Sequence, residues 1–281
     1  MTSVVRLQPS AATKPRFLVT TSRSILLVDV YAQQIDRIHS GGGLYYGIDV
    51  VPDQITVAAR KRMVSSTVPP DQERGSVLVF DRELKFKHAL TAEFGLRDMH
   101  QIRSHAGKLY VTCSFENLIA IFDGQSWRQW FPLGQAPAAP LDINHFNTIE
   151  IVDDRLCVVA HNNGASEVLL FDAQTLQLRE RFHLGMQSHN VWKMNDEWCV
   201  CSSAEGKLIG NRGFEVITGG FPRGVWIGKD YALVGVSELA ERQDRDFTSS
   251  EIIVYDSAWQ ECERVRLLNE GLVLDIAPLP A

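Results

Sequence analysis

Ile252-Ile253-Val254-Tyr255-Asp256 is an aliphatic run that stops at an aspartate, and the chain repeats that phrase four more times. The other runs are Leu26-Leu27-Val28-Asp29, Leu78-Val79-Phe80-Asp81, Ile119-Ala120-Ile121-Phe122-Asp123 and Val168-Leu169-Leu170-Phe171-Asp172. Their aspartates stand 52, 42, 49 and 84 residues apart, and the last interval is twice 42. A period of about forty to fifty residues filled with short strands marks the blades of a β-propeller.

Working outward, a strongly apolar second strand recurs at the same period, before four of the runs and once within the long interval between Asp172 and Ile252. These are Gln54-Ile55-Thr56-Val57-Ala58, Lys108-Leu109-Tyr110-Val111-Thr112, Arg155-Leu156-Cys157-Val158-Val159, Glu197-Trp198-Cys199-Val200-Cys201 and Tyr231-Ala232-Leu233-Val234-Gly235. Turn formers such as Pro52-Asp53, Ala106-Gly107 and Asp153-Asp154 precede them, as hairpins require. The spacing places first strands at residues 46–51, 100–104, 147–152, 189–194 and 223–228, which makes five blades. A sixth forms if Leu272 to Ile276 supplies the first strand for Phe17 to Thr20 and Ile25 to Val30. Joining the two chain ends in one blade closes the ring and removes the exposed edge.

The expectation is an all-β, six-bladed β-propeller closed by pairing the C-terminal strand with the N-terminal blade. It occupies residues 16–281 as a single domain behind a polar N-terminal tail at 1–15. The third strand of the fifth blade, Lys207-Leu208-Ile209, is weak, so five or seven blades remain alternatives. No segment carries a sustained 3.6-residue apolar period, which disfavours βαβ folds. A β-sandwich would leave the regular spacing unexplained.

Composition narrows the function classes. The net charge is −6 and no basic stripe accompanies it, so nucleic acid is not an expected partner. No apolar run approaches the ~20 residues of a membrane-spanning helix, and the first residues lack a secretory core, so the expectation is a cytoplasmic protein with no membrane partner. The five cysteines include four within predicted second strands and show no disulfide framework. Cys199 and Cys201 share a strand face and read as buried apolar residues, since a thiolate metal site needs further cysteine ligands.

Propeller register turns the strand alignment into a site. The first strands begin with Tyr46, His100, Asn147, His189 and Arg223, with Leu274 and Asp275 in the closing blade and His145 two residues before Asn147. Three of the eight histidines thus converge on one channel mouth. Imidazoles with carboxylate or amide oxygens suit a divalent transition metal, with His100, His145 and His189 as ligands. The alternative is a wet polar channel whose groups bond to backbone and water. Insertions at 60–75 and 239–250 join second to third strands on the same face and carry Arg60, Arg62, Arg242 and Arg245. His161 also ends a second strand there, but Asn163-Gly164 reads more simply as a turn. Trp127 and Trp130 read as packing between blades.

Several of these residues fall in motifs with a further likeness. Gly220-Phe221-Pro222-Arg223-Gly224-Val225, Val234-Gly235-Val236-Ser237-Glu238 and Asp275-Ile276-Ala277-Pro278-Leu279-Pro280 resemble segments of a bacterial protein family of unknown function with a predicted propeller fold. That family's motifs are an Arg-Gly start, a Val-Gly-x-Ser element and a terminal Asp-x-x-x-Leu-Pro. Its His-x-Asn element is similar to His145-Phe146-Asn147, and its histidine motif to Ser188-His189-Asn190. The similarity spans about residues 95–281, with shorter connections and no proline after His189. It implies a propeller and draws attention to His145, Asn147, His189, Arg223, Glu238 and Asp275, but it implies no reaction.

Two functional expectations follow. One is a metal-assisted hydrolase or isomerase acting on a small polar or anionic substrate. In it Arg223 fixes the anion, Glu238 or Asp275 acts as general base, and Tyr46, Asn147 and Asn190 bind ligand. The other is a non-catalytic propeller that binds a small ligand or serves as a scaffold for a protein partner.

Overall fold

The computed structural model describes residues 15–134 and 141–280, so residues 1–14 of the expected polar tail lie outside it. Among the described residues no helix is long and apolar enough to cross a membrane. Among the described residues, twenty-four strands form six antiparallel four-stranded sheets. Blade 1 places Val273–Leu279 innermost, followed by Arg16–Thr21, Ser24–Asp29 and Gln34–Ser40. The closing register sets Phe17 opposite Pro278 and Thr20 opposite Asp275, so the chain ends lock the ring as the sequence predicts.

Blades 2 to 6 run in chain order, with innermost strands Tyr45–Val51, Met99–His105, Phe146–Val152, Ser188–Met194 and Phe221–Ile227. The weak third strand of blade 5 forms as Lys207–Gly210 and pairs on both sides.

The aspartate that ends each run has a local task. Asp29, Asp81, Asp123, Asp172 and Asp256 each accept two backbone N–H groups of the following turn through Oδ1, closing the step from third to fourth strand. Blade 5 has no such aspartate. There Glu197 Oε1, from the adjacent strand, accepts the N–H groups of Arg212 and Phe214.

The blades cohere through six apolar clusters. Tyr110, Ile121, Phe146, Ile149 and Phe171, for example, are packed together between blades 3 and 4 and are essentially inaccessible. Removing a ring such as Phe146 by substitution with alanine costs roughly 3–5 kcal/mol at sites of this kind. Trp130 stacks edge-on against Phe171 of the neighbouring blade at 4.9 Å, and Trp127, stacked on Phe122 of its own blade, packs against the apolar cluster shared with blade 2. All five cysteines are free, and Cys199 and Cys201 are buried.

Candidate functional site at the channel mouth

The innermost strands enter from one face, and near its start each is paired with the end of the second strand at an equivalent position. Tyr45 opposes Ala59, Met99 opposes Cys113, Phe146 opposes Ala160, Ser188 opposes Ser202, Pro222 opposes Val236 and Val273 opposes Thr21. In five of them the register shifts directly after that pair, and in blade 5 it shifts one residue later, after His189 opposite Cys201. A bulge adds a residue and re-aims side chains, and here it recurs at one level around the channel.

Three tiers result. The residues just before the paired position are Leu44, Asp98, His145, Gln187, Phe221 and Leu272, and all six line one cavity of about 620 Å³ at the mouth. The residues just after it are Tyr46, His100, Asn147, His189, Arg223 and Leu274, of which Tyr46, His100, His189 and Arg223 line the same cavity. One step deeper come Gly47, Gln101, Thr148, Asn190, Gly224 and Asp275.

That deeper tier sews blades together. Asp275 Oδ2 accepts the Ile48 N–H at 2.8 Å, Thr148 Oγ1 accepts that of Asn190 at 2.9 Å, and Asn190 Oδ1 accepts that of Gly224 at 2.9 Å. Asn147 joins the girdle, donating Nδ2–H to the Ser188 carbonyl at 2.9 Å. The structure therefore sets Asn147, Asn190 and Asp275 in the inter-blade girdle. Burial raises the Asp275 carboxyl, and Arg103 with the Ile48 and Ile276 amides opposes that rise. Glu238 is exposed on a separate surface groove of blade 6, where it accepts the Ser249 N–H. Neither acid lines the mouth cavity.

A further ring of positions stands at the ends of the second strands: Ser22, Arg60, Ser114, His161, Ser203 and Ser237. Three of the serines tie one blade to the next, Ser114 to the Phe146 carbonyl, Ser203 to the Pro222 carbonyl and Ser237 to the Val273 N–H. Blades 2 and 4 replace serine with Arg60 and His161, and both enter the cavity. Sequence reasoning set His161 aside and omitted Asp98. Aligning the ends of the second strands would have exposed the first, and aligning the residue before each first strand the second.

The aromatic groups form a continuous arc. Ring centroids run from Tyr46 to His100 at 4.6 Å, His100 to His145 at 4.7 Å, His145 to His161 at 4.9 Å, His161 to His189 at 5.3 Å and His189 to Phe221 at 5.5 Å. Arg223 lies across the start of the arc, its guanidinium 4.7 Å from the Tyr46 centroid and its Nη2 2.9 Å from His100 Nδ1. Arg60 forms a bidentate pair with Glu73 at 2.9 and 2.8 Å and a second ion pair with Asp98.

Burial governs the charge states. It pushes His100 and His189 well below the usual imidazole range and His161 down to about 3. Burial would raise the Asp98 carboxyl, but the Arg60 charge and His100 outweigh it and hold Asp98 well below the usual carboxylate range. Arg223 is lowered by burial as well.

The two insertions roof the cavity, contributing Arg62, Met63, Val64 and Pro70 on one side and Arg242 and Arg245 on the other. They are joined: the fully buried Asp246 accepts the N–H groups of Val64 at 3.0 Å and Ser65 at 2.8 Å. At the root of the first insertion, Gly43 adopts φ +80° and a Cβ there would strike the Arg62 backbone, so the glycine permits the close crossing.

Among the described residues, two buried polar atoms in this cavity, Arg62 Nε and Asp142 Oδ1, lack a hydrogen-bond partner, and His100 Nε2 faces the Asp98 carboxylate without a well-aligned hydrogen bond. One ligand atom each of Asp98, His100 and His145 lies within 4.8 Å of the others. His100 Nε2 and Asp98 Oδ1 are 3.2 Å apart, close to the ~3.3 Å edge between donors on a tetrahedral ion with bonds of about 2.0–2.1 Å. His145 donates Nδ1–H to Asp142 at 2.6 Å, the usual support of a metal-bound imidazole. His100 does not match so well. A guanidinium only donates, so Arg223 occupies the Nδ1 lone pair and leaves the ring proton on Nε2. An ion at Nε2 therefore requires Arg223 to leave. His189 lies outside this group, with Nδ1 held by Ser203 at 2.8 Å.

Comparison with known proteins matches the fold. A chain in the crystal structure of a nidogen/laminin complex is similar with a TM-score of 0.71 at 12% identity, over 95% of this chain and 99% of that one. No family model and no curated protein sequence matches. The chain is a six-bladed propeller with a buried Asp98, His100 and His145 cluster at its mouth.

Proposed function

We propose that this propeller binds small anionic molecules at its central mouth. The observation that carries the reading is Arg223. It is 6% exposed, yet among the described residues no carboxylate approaches its guanidinium within 4.0 Å. A buried charge without a counter-ion costs several kcal/mol, and a bound anion offsets that cost. The lining agrees: five arginines and two aspartates face the cavity of a chain whose net charge is −6. A positive cleft in an acidic protein concentrates anions. Calorimetric titration with small carboxylates and phosphate esters, using wild type and Arg223→Met, tests this. Saturable binding lost in the variant supports it, and no heat with any anion removes it.

A second reading, metal-assisted hydrolysis or isomerisation, is favoured by the Asp98, His100 and His145 group. An ion there would polarise a carbonyl or lower the pKa of a bound water. Asp98 and His145 would hold it, with His100 joining once Arg223 turns to a substrate anion. Elemental analysis of purified protein beside Asp98→Asn and His145→Asn decides it: near-stoichiometric metal in wild type alone supports the reading, and none after reconstitution ends it. The protein-partner alternative rests on the nidogen/laminin likeness, which at 12% identity speaks for fold alone.

A further inference from the structure

The protein sets the tautomers of His161 and His189, as it does those of His100 and His145. The Asn163 backbone N–H donates to His161 Nδ1 at 3.1 Å, so that ring carries its proton on Nε2. Ser203 gives its one hydroxyl hydrogen to the Pro222 carbonyl at 2.7 Å. Its 2.8 Å contact with His189 Nδ1 is therefore one in which the ring donates, and the His189 lone pair sits on Nε2. Burial, which keeps both rings neutral, preserves this assignment. His161 thus has an N–H and His189 a lone pair for whatever occupies the cavity, and both rings line it.

An adjacent donor and acceptor select for a group that can do both. A carboxylate cannot donate, an ammonium cannot accept, and a hydroxyl does each with one oxygen. The His161 and His189 rings are immediate neighbours, with centroids 5.3 Å apart. Arg223 lines the same cavity as both rings, so the anion site and the hydroxyl site share it. The five lining arginines also oppose an amine at this place.

Resting on the anion-binding reading, we infer that the ligand is a small hydroxylated oxyanion. Its charged head sits on Arg223, and an adjacent hydroxyl accepts from His161 Nε2–H and donates to His189 Nε2. The head is a carboxylate or a phosphate ester, and the hydroxyl requirement is common to both. His161 and His189 are then specificity-determining residues.

The test is calorimetric titration of the full chain with matched pairs: malate against succinate, gluconate against hexanoate, and glycerol 3-phosphate against propyl phosphate. The hydroxylated member is expected to bind at least tenfold more tightly in the pairs with the right head, and those pairs identify the head. Ser203→Ala frees the His189 tautomer and is expected to shrink that ratio toward one while the affinity for the deoxy member holds. Should that variant unfold, His189→Phe keeps a ring, removes both nitrogens and gives the same readout. Pairs that bind equally would overturn the hydroxyl inference and leave anion binding standing. Silence from all six anions would remove the anion reading itself.

Discussion

Asp98 and His145 are the same position of two adjacent blades. Each directly precedes an innermost strand, and each holds a left-handed backbone, φ 51° and φ 50°. The turn that this conformation makes is what throws both side chains over the mouth. Left-handed backbone costs most residues about 1–2 kcal/mol, while asparagine and aspartate tolerate it. His145→Asn is therefore expected to keep near wild-type stability, and His145→Val to lose about 1–2 kcal/mol in urea denaturation. Equal stability of the two variants would show that the turn does not constrain this site.

Arg223 is expected to cost stability in exchange for function. Arg223→Met fills similar volume and removes a buried charge that has no counter-ion, a change that is often stabilising by about 1–3 kcal/mol. The same variant should bind small anions at least tenfold more weakly. Chemical denaturation and calorimetry on one preparation check both. A variant that is destabilised yet binds normally would mean that the guanidinium serves the fold.

The sequence disclosed the blades because their repeat is local. An aliphatic run, an aspartate and a turn lie within a few neighbouring residues, and Asp172 or Asp256 closes its turn with no help from other blades. It disclosed part of the site because Tyr46, His100, His189 and Arg223 share a register. The rest was hidden by two facts. A bulge separates residues one step apart into cavity and girdle, so Asn190 and Asp275 look like mouth residues in the alignment but bond to neighbouring blades. His161 and Arg60 sit in a slot that other blades fill with serine, and only the inter-blade bonds of Ser114, Ser203 and Ser237 reveal what that slot is for.

The neutral histidines predict acid sensitivity. His161 is lowered to about 3, and His100 and His189 are also lowered, all chiefly by burial. The unfolded chain, with imidazoles near 6.5, takes up these protons first. Stability is therefore full above about pH 6.5 and falls as pH drops toward 3, by about 1.4 kcal/mol per pH unit for each ring. Urea midpoints at pH 7.5, 6.0 and 5.0 should trace that loss, and His161→Asn should lessen the slope by one proton's worth. An unchanged slope would mean that His161 is already charged in the fold.

Asp246 is expected to control the roof. Its buried carboxylate reaches from the 239–250 insertion of blade 6 to the backbone of Val64 and Ser65 in the 60–75 insertion of blade 2, bridging across blade 1. Hydrogen bonds to a charged group contribute about 1.5–3 kcal/mol each, and here they join the two loops to one another. Asp246→Ala strands both N–H groups and frees the loops from one another. Amide exchange at residues 62–67 should quicken by tenfold or more, with the blade strands unaffected. Because Arg62, Arg242 and Arg245 reach the cavity from these loops, anion affinity should fall in the same variant while Arg223 stays in place. Faster exchange with unchanged affinity would confine the anion site to the channel wall, and unchanged exchange would show that the insertions are held by their own strands.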